Sequence, residues 1–150
     1  GGTGKTLWLE APIPFAYGCH TTVGDHFYSN FNLTVVDDGR VSIGNSVMFG
    51  PNVTISTTGH PVHPYYRMRG AHFSLPVVIE DGVWIGANVV VMPGVTIGKN
   101  SVIGAGSVVT RDIPENVVAF GTPCRVIRPI TDADLETIRP GMTINADWNA

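Results

Sequence analysis

From Ile79 onward the chain places an aliphatic residue at every sixth position: Ile79, Ile85, Val91, Ile97, Ile103 and Val109. The next position is most often glycine, as at Gly86, Gly98 and Gly104, and a second small or β-branched residue follows the aliphatic by four, at Val83, Val89, Val95, Ser101 and Ser107. The same phase runs through Ile43-Gly44, Phe49-Gly50 and Ile55-Ser56, with Val47 and Val53 at the later offset, and a degraded copy starts at Val23-Gly24. A period of six fits neither the 3.6 of an amphipathic helix nor a long run of strand alternation. It suits a short strand plus a corner, with the glycine after the aliphatic expected to supply permissive backbone at the turn. Three such units close a triangular coil of about eighteen residues, and stacked coils bury a continuous aliphatic column. The pattern predicts an all-β chain folded as a parallel β-helix. A β-sandwich would space its strands irregularly, at roughly 8–12 residues.

The period breaks twice, and insertions in a solenoid leave the stack as loops on one face. The first break is "VVDDGR" (Val35 to Arg40), with a turn signal at Asp38-Gly39. The second, Thr57 to Pro76, is a polar and aromatic loop holding His60, His63 and His72, three of the five histidines. After the last repeat, "TDADLETIRPG" predicts a short C-terminal helix capped by Thr131 or Asp132 and ended by Pro140-Gly141, in an extension over 131–150 that packs on the open coil end. A single domain over 1–150 is the expected organisation.

Composition narrows the function classes. Hydrophobic residues make up 43% and charged residues 14%, which suits a folded globule rather than a disordered tail. The net charge is −3 without any Lys/Arg run, which argues against an electrostatic nucleic-acid or membrane footprint. Charge is nevertheless uneven: Lys99, Arg111, Arg125 and Arg128 face only Asp112 and Glu115 across residues 99–130, an end that suits a small anion. Cys19 and Cys124 form no CxxC pair and read as reduced thiols, and with no apolar stretch long enough to span a membrane a cytoplasmic location is expected. The opening "GGTGKT" has the letters of a phosphate loop, but Pro12 and Pro14 stand where its helix would run and no strand precedes it.

The runs "FYSNFNLTVVDDG", "TGHPVH" and "VWIGANVVVMPGVTIGKNSVIGAGSVVTRDIPENVVAFGTPCRVIR" carry much more than bare hexapeptides. Across roughly residues 8 to 130 the chain resembles the galactoside and maltose O-acetyltransferase group of hexapeptide-repeat acyltransferases. The resemblance implies a left-handed parallel β-helix, an exception to the usual right-handed crossover, with a protruding loop. It implies acetyl-CoA as cosubstrate, no metal, and transfer of an acetyl group to a hydroxyl of a sugar or similar acceptor. His60 aligns with the general base, Asn30 and Asp38 with acceptor-binding positions, Trp84, Ala87, Ala105, Thr110, Arg111, Arg125 and Arg128 with acetyl-CoA contacts. It also implies a homotrimer with active sites between subunits, the loop of one lying against its neighbour. The group commonly carries an N-terminal helical segment supplying a further acidic acceptor ligand, which these 150 residues do not include. Ala16 stands where a serine is common, and His72 where galactoside enzymes have methionine.

The residue chemistry agrees. A sugar hydroxyl is a poor nucleophile, so attack on a thioester needs a base titrating near working pH, and imidazole is the natural choice. Guanidinium groups suit CoA phosphates. Turn chemistry accounts for Asn30 and Asp38 nearly as well as ligand binding does, Trp84 could fill a corner of the coil, and His63 could orient His60 or simply decorate the loop. Two other functions stay open on the same solenoid: a zinc carbonic anhydrase, which needs three converging imidazoles although no histidine follows His72, and a non-catalytic binding scaffold.

Overall fold

The structure, a computed structural model, describes residues 1–144. It is a parallel β-helix. The first coil holds β1 (Gly2–Thr3) and β2 (Leu7–Leu9), the second β3 (Thr21–Val23), β4 (Phe27–Ser29) and β5 (Thr34–Val36), and the third β6 (Val41–Ile43), β7 (Met48–Phe49) and β8 (Thr54–Ser56). The chain then leaves the stack as a hairpin of β9 (Thr58–Gly59) and β10 (Phe73–Ser74), with the single-turn helix α1 (Pro64–Arg67) between them. Stacking resumes with β11 (Val77–Ile79), β12 (Trp84–Ile85) and β13 (Val90–Val91), then β14 (Thr96–Ile97), β15 (Val102–Ile103) and β16 (Val108–Val109). β17 (Val117–Gly121) closes the last coil and returns antiparallel as β18 (Cys124–Pro129).

Three sheets form the faces of the prism. Face A runs β1-β3-β6-β11-β14, face B β18-β17-β15-β12-β7-β4-β2, and face C β16-β13-β8-β5. The register measures each coil. Val78 pairs with Thr96, eighteen residues on, whereas Thr21 pairs with Val41, twenty on, and Val41 with Val77, thirty-six on. The first break therefore adds two residues to a coil and the second adds one full coil length, so both preserve the phase of every inward side chain. Both inward positions of each hexapeptide are buried: Ile79, Ile85, Val91, Ile97, Ile103 and Val109 from one, Val83, Val89, Val95, Ser101 and Ser107 from the other. Burying each aliphatic chain is worth about 1.5–3 kcal/mol. The two serines pin the returning segment: Ser101 Oγ donates to the Pro114 carbonyl at 2.7 Å, and Ser107 Oγ accepts from Gly121 N at 3.0 Å.

The glycine after each aliphatic has a different cause from the one expected. The left-handed corner conformation falls two positions later, at Asn52 (φ 60°), Asn88 (58°) and Asn100 (61°), where asparagine is tolerated. Their side chains form ladders: Asn32 Nδ2 donates to Asn52 Oδ1 and Asn52 Nδ2 to Asn88 Oδ1, each at 3.0 Å. The glycine is needed because the next coil passes directly beneath it. A Cβ on Gly50 would lie 2.7 Å from Ala87 N, and one on Gly86 2.7 Å from Ala105 N.

Both ends differ from simple continuation. "GGTGKT" contributes β1, and β2 follows it instead of a helix. At the other end the predicted helix is only a 3₁₀ turn, Asp132–Leu135, closed by a Thr131–Asp134 capping box; Thr137–Arg139 (β19) and Met142–Thr143 (β20) form a hairpin around Pro140-Gly141. The β-branched Thr137 and Ile138 favour the extended form. Residues 145–150 of the predicted extension lie outside the described residues.

Candidate active site

The hairpin that interrupts the stack presents His60. Gly59 and Phe73 are ladder partners, and a Cβ on Gly59 would meet the Phe73 ring at 2.5 Å, so glycine before His60 lets that ring lie across the hairpin. His60 itself is exposed, and its Nδ1 lies 2.9 Å from the Ala71 carbonyl. A carbonyl only accepts, so Nδ1 carries the proton and Nε2 turns a lone pair outward in the neutral ring. His72 stands beside it, ring centroids 6.4 Å apart. His63 is neither partner nor ornament: it caps α1, its Nδ1 accepting from Tyr65 N at 3.2 Å.

The two breaks are tied together by a buried threonine. Thr57 Oγ1 donates to the Val36 carbonyl at 2.8 Å and accepts from Gly39 N at 2.9 Å, joining the base of the hairpin to the insert carrying Asp38. Next to Asp38 lies a carboxylate that sequence inspection passed over. Asp37 is fully buried and accepts from Tyr17 N (2.9 Å), Gly18 N (3.1 Å), His20 N (3.3 Å) and Thr21 Oγ1 (2.9 Å), while its carbonyl bonds His20 Nδ1 at 2.7 Å. Burial pushes its pKa up, but the bonds from Gly18, Tyr17, Thr21 and His20 outweigh this and hold it below the ordinary aspartate value. In "VVDDGR" the two aspartates look alike; only strand parity separates them. Val35 and Asp37 point inward, Val36 and Asp38 are partly exposed. Asp38 lines a cleft of about 440 Å³ with Cys19, His20, Thr22, Arg40 and Ser42.

Within one chain the candidate residues divide between two edges of the prism. Asp38 and His60 follow face C strands, as do Thr110 and Arg111 after β16, at the edge between faces C and A. Asn30, Ala87 and Ala105 lie at the opposite edge of face C, where Asn30 N bonds Phe49 O and Gly86 N bonds Ile103 O in one continuous column. Trp84 fills no corner. It projects outward from β12, half exposed, between Met48 and Val102, in a face B row that runs Trp8, Tyr28, Met48, Trp84, Val102, Val118. Arg128 and Arg125 sit opposite Val118 and Phe120 on β18. Arg128 is engaged by a bidentate pair with Asp134, 2.8 and 2.7 Å, and its guanidinium holds the Asp134 carboxyl down to about 2. Arg125 folds back to the Cys124 carbonyl at 2.7 Å, and Arg111 makes no hydrogen bond among the described residues.

No group of three or more His, Cys, Asp or Glu side chains arranged for a metal occurs among the described residues, and none of their helices is long and apolar enough to cross a membrane. A largely apolar cavity of about 390 Å³, bordered by Leu7, Leu9, Phe15 and Phe27, is the open first coil of the column and contains none of the candidate site residues.

A stack of hexapeptide coils with a histidine hairpin at one edge is a hexapeptide-repeat architecture, and its relatives place it among the transferases of that class. Residues 76–111 match the family model described as bacterial transferase hexapeptide (six repeats). The galactoside O-acetyltransferase of Escherichia coli K12 is 59% identical over 131 residues, covering 87% of this chain and 64% of that protein. That of Lactococcus lactis is 54% identical over 145 residues, covering 96% of the chain and 70% of the relative, so the chain spans about two-thirds of their length. A solved galactoside acetyltransferase in complex with coenzyme A superposes with a TM-score of 0.94 at 53% identity, covering 97% of this chain and 72% of that one. The chain belongs to the galactoside/maltose O-acetyltransferase group of the hexapeptide-repeat acyltransferases.

Proposed function

We propose that the protein transfers an acetyl group from acetyl-CoA to a hydroxyl of a sugar or similar small acceptor, with His60 as general base. The observation that carries this is the His60 Nδ1 to Ala71 carbonyl bond, which commits Nε2 to accepting a proton. The acceptor hydroxyl gives its proton to Nε2 as its oxygen attacks the thioester carbonyl; the C–S bond then breaks, the ester forms, and the CoA thiolate takes up a proton. Asn30 and Asp38 bind the acceptor. Trp84, Ala87, Ala105, Thr110, Arg111, Arg125 and Arg128 bind acetyl-CoA, whose phosphates suit the basic end of the stack. The complex of coenzyme A with a relative at 53% identity supports this assignment.

The division of these residues between two edges supports a homotrimer, in which the His60 edge of one protomer faces the Asn30 edge of the next and the exposed hairpin covers the cleft. A stable monomer with full activity in light scattering would overturn that arrangement. The transfer itself is tested by following CoA release from acetyl-CoA against a panel of sugars, polyols, amino acids and antibiotics. Hydroxyl acceptors alone should stimulate release, and absence of stimulation by any hydroxyl compound would sink the proposal. A zinc anhydrase needs three converging imidazoles; in the loop only His60 and His72 stand together, while His63 serves α1.

A further inference from the structure

Among the described residues Asp37 is the one buried carboxylate; the other buried polar side chains of the stack are serines and threonines. Taking a charge out of water is costly, and a neutral side chain of similar size serves stability as well. A carboxylate differs in what it can gather. Asp37 Oδ1 accepts from Tyr17 N and Gly18 N, and Oδ2 accepts from His20 N and Thr21 Oγ1. All four donors belong to one turn, and the single oxygen of a serine or threonine could not take them together. The Asp37 carbonyl also accepts from His20 Nδ1 at 2.7 Å, so His20 is held by its backbone and by its ring.

The clamped turn borders the site. Cys19, His20 and Thr22 line the same cleft as Asp38, which follows Asp37 directly in the chain. On its other side the insert is fastened to the hairpin, since Gly39 N donates to Thr57 Oγ1 and a Cβ on Gly39 would lie 3.2 Å from Ser74 Cβ. Asp37 therefore stands where three segments meet: the Tyr17–Thr21 turn, the insert carrying Asp38, and the base of the hairpin carrying His60. We infer that Asp37 is a positioning residue of the transfer, fixing Asp38 at the acceptor in register with His60 by clamping the preceding coil onto the insert. This rests on the transfer proposed above. Being fully buried, Asp37 acts through its neighbours. Trp84 on β12 and Arg125 and Arg128 on β18 lie on other strands and make no contact with the clamp, so the acceptor alone should feel its loss.

The test compares three variants, assayed well below their thermal midpoints with acetyl-CoA and whichever of methyl glucoside, galactoside and mannoside the wild-type protein acetylates fastest. Asp37→Asn offers one acceptor oxygen in place of two and should raise KM for the sugar about tenfold, the effect of one lost charge-assisted bond. KM for acetyl-CoA should stay unmoved. Thr21→Val removes a single donor and keeps the carboxylate, so the rise should be smaller, about threefold. Ile85→Ala, which weakens the stack away from the clamp, should leave KM for the sugar unchanged. In NMR spectra the His20 ring signals should shift in the first two variants and not in the third. An unchanged sugar KM in Asp37→Asn, or an equal rise in Ile85→Ala, overturns the assignment and leaves the transfer intact. Should Asp37→Asn fail to fold, Thr21→Val decides, an unchanged KM again overturning it. A wild-type protein that acetylates no hydroxyl compound removes both.

Discussion

The wall from Val77 to Val109 and the edge carrying Asp37, Asp38 and His60 are built on opposite terms. In the wall every inward side chain is aliphatic or a small serine, each coil repeats after eighteen residues, and glycine marks where backbones touch. At the edge a carboxylate is buried, the coil is lengthened twice, and the chain is held by side chain to backbone bonds from Asp37 and Thr57. The wall tolerates nothing off-period, because one misplaced residue would turn all later inward positions outward. The edge can hold chemistry because its insertions are of lengths that return the chain in phase. Rigidity and function are separated along one molecule, and the separation can be probed from both sides.

The largest effect is expected at the edge. His60→Ala should lower the acetyl-transfer rate by about 10²–10⁴-fold while acetyl-CoA affinity measured by calorimetry and the thermal midpoint stay close to wild type. Near-normal turnover, or an isolable acetylated enzyme competent for transfer, would end the role. The wall should respond in the reverse sense. Ile85→Ala leaves a cavity in the fully buried column and should cost about 2–5 kcal/mol in urea unfolding, with residual activity tracking the folded fraction.

Asp37→Asn tests whether the edge is held by charge. Removing charge-assisted bonds should cost about 1–3 kcal/mol at neutral pH. The sign with pH follows from the lowered value of Asp37: its contribution is fully present above the unfolded aspartate pKa of about 3.9 and is lost as pH falls from there through the lower folded value. The variant should therefore have a flatter acid limb than wild type over that window, and parallel limbs would show that the charge contributes nothing. The smallest effect concerns Arg128. Asp134→Asn releases its guanidinium and should tighten acetyl-CoA binding modestly, whereas Arg125 and Arg128 replaced together should weaken it; calorimetric affinities unchanged in both would remove these arginines from the cosubstrate site.

Much of this was legible in the chain. Residues 79–109 announce their architecture because each hexapeptide satisfies its own strand and corner, so local spacing and global packing coincide. The two breaks stand out for the same reason. Spacing alone points to the wrong role for the glycines, since Gly50 and Gly86 are constrained by Ala87 and Ala105 of the following coil, a contact that no property of their own segment reveals. The cap residues and the Pro-Gly stop predict a helix in the C-terminal segment; Thr131 N does bond Asp134 Oδ2, but Thr137–Arg139 pairs with Met142–Thr143 instead of continuing the turn.

What the sequence by itself determined is the period, the inward residues, the places where the coil opens, and the presence of an imidazole in the longer opening. Those properties depend on neighbours within a few positions, which spacing encodes directly. Only the tertiary structure decided that Asp37 is buried and Asp38 half exposed, that Asn30 and His60 occupy different edges, and that His60 and His72 share one side of a hairpin. Each of these depends on which strand lies above, below or across, and pairing between segments fourteen to thirty-six residues apart is set by the closure of the whole coil.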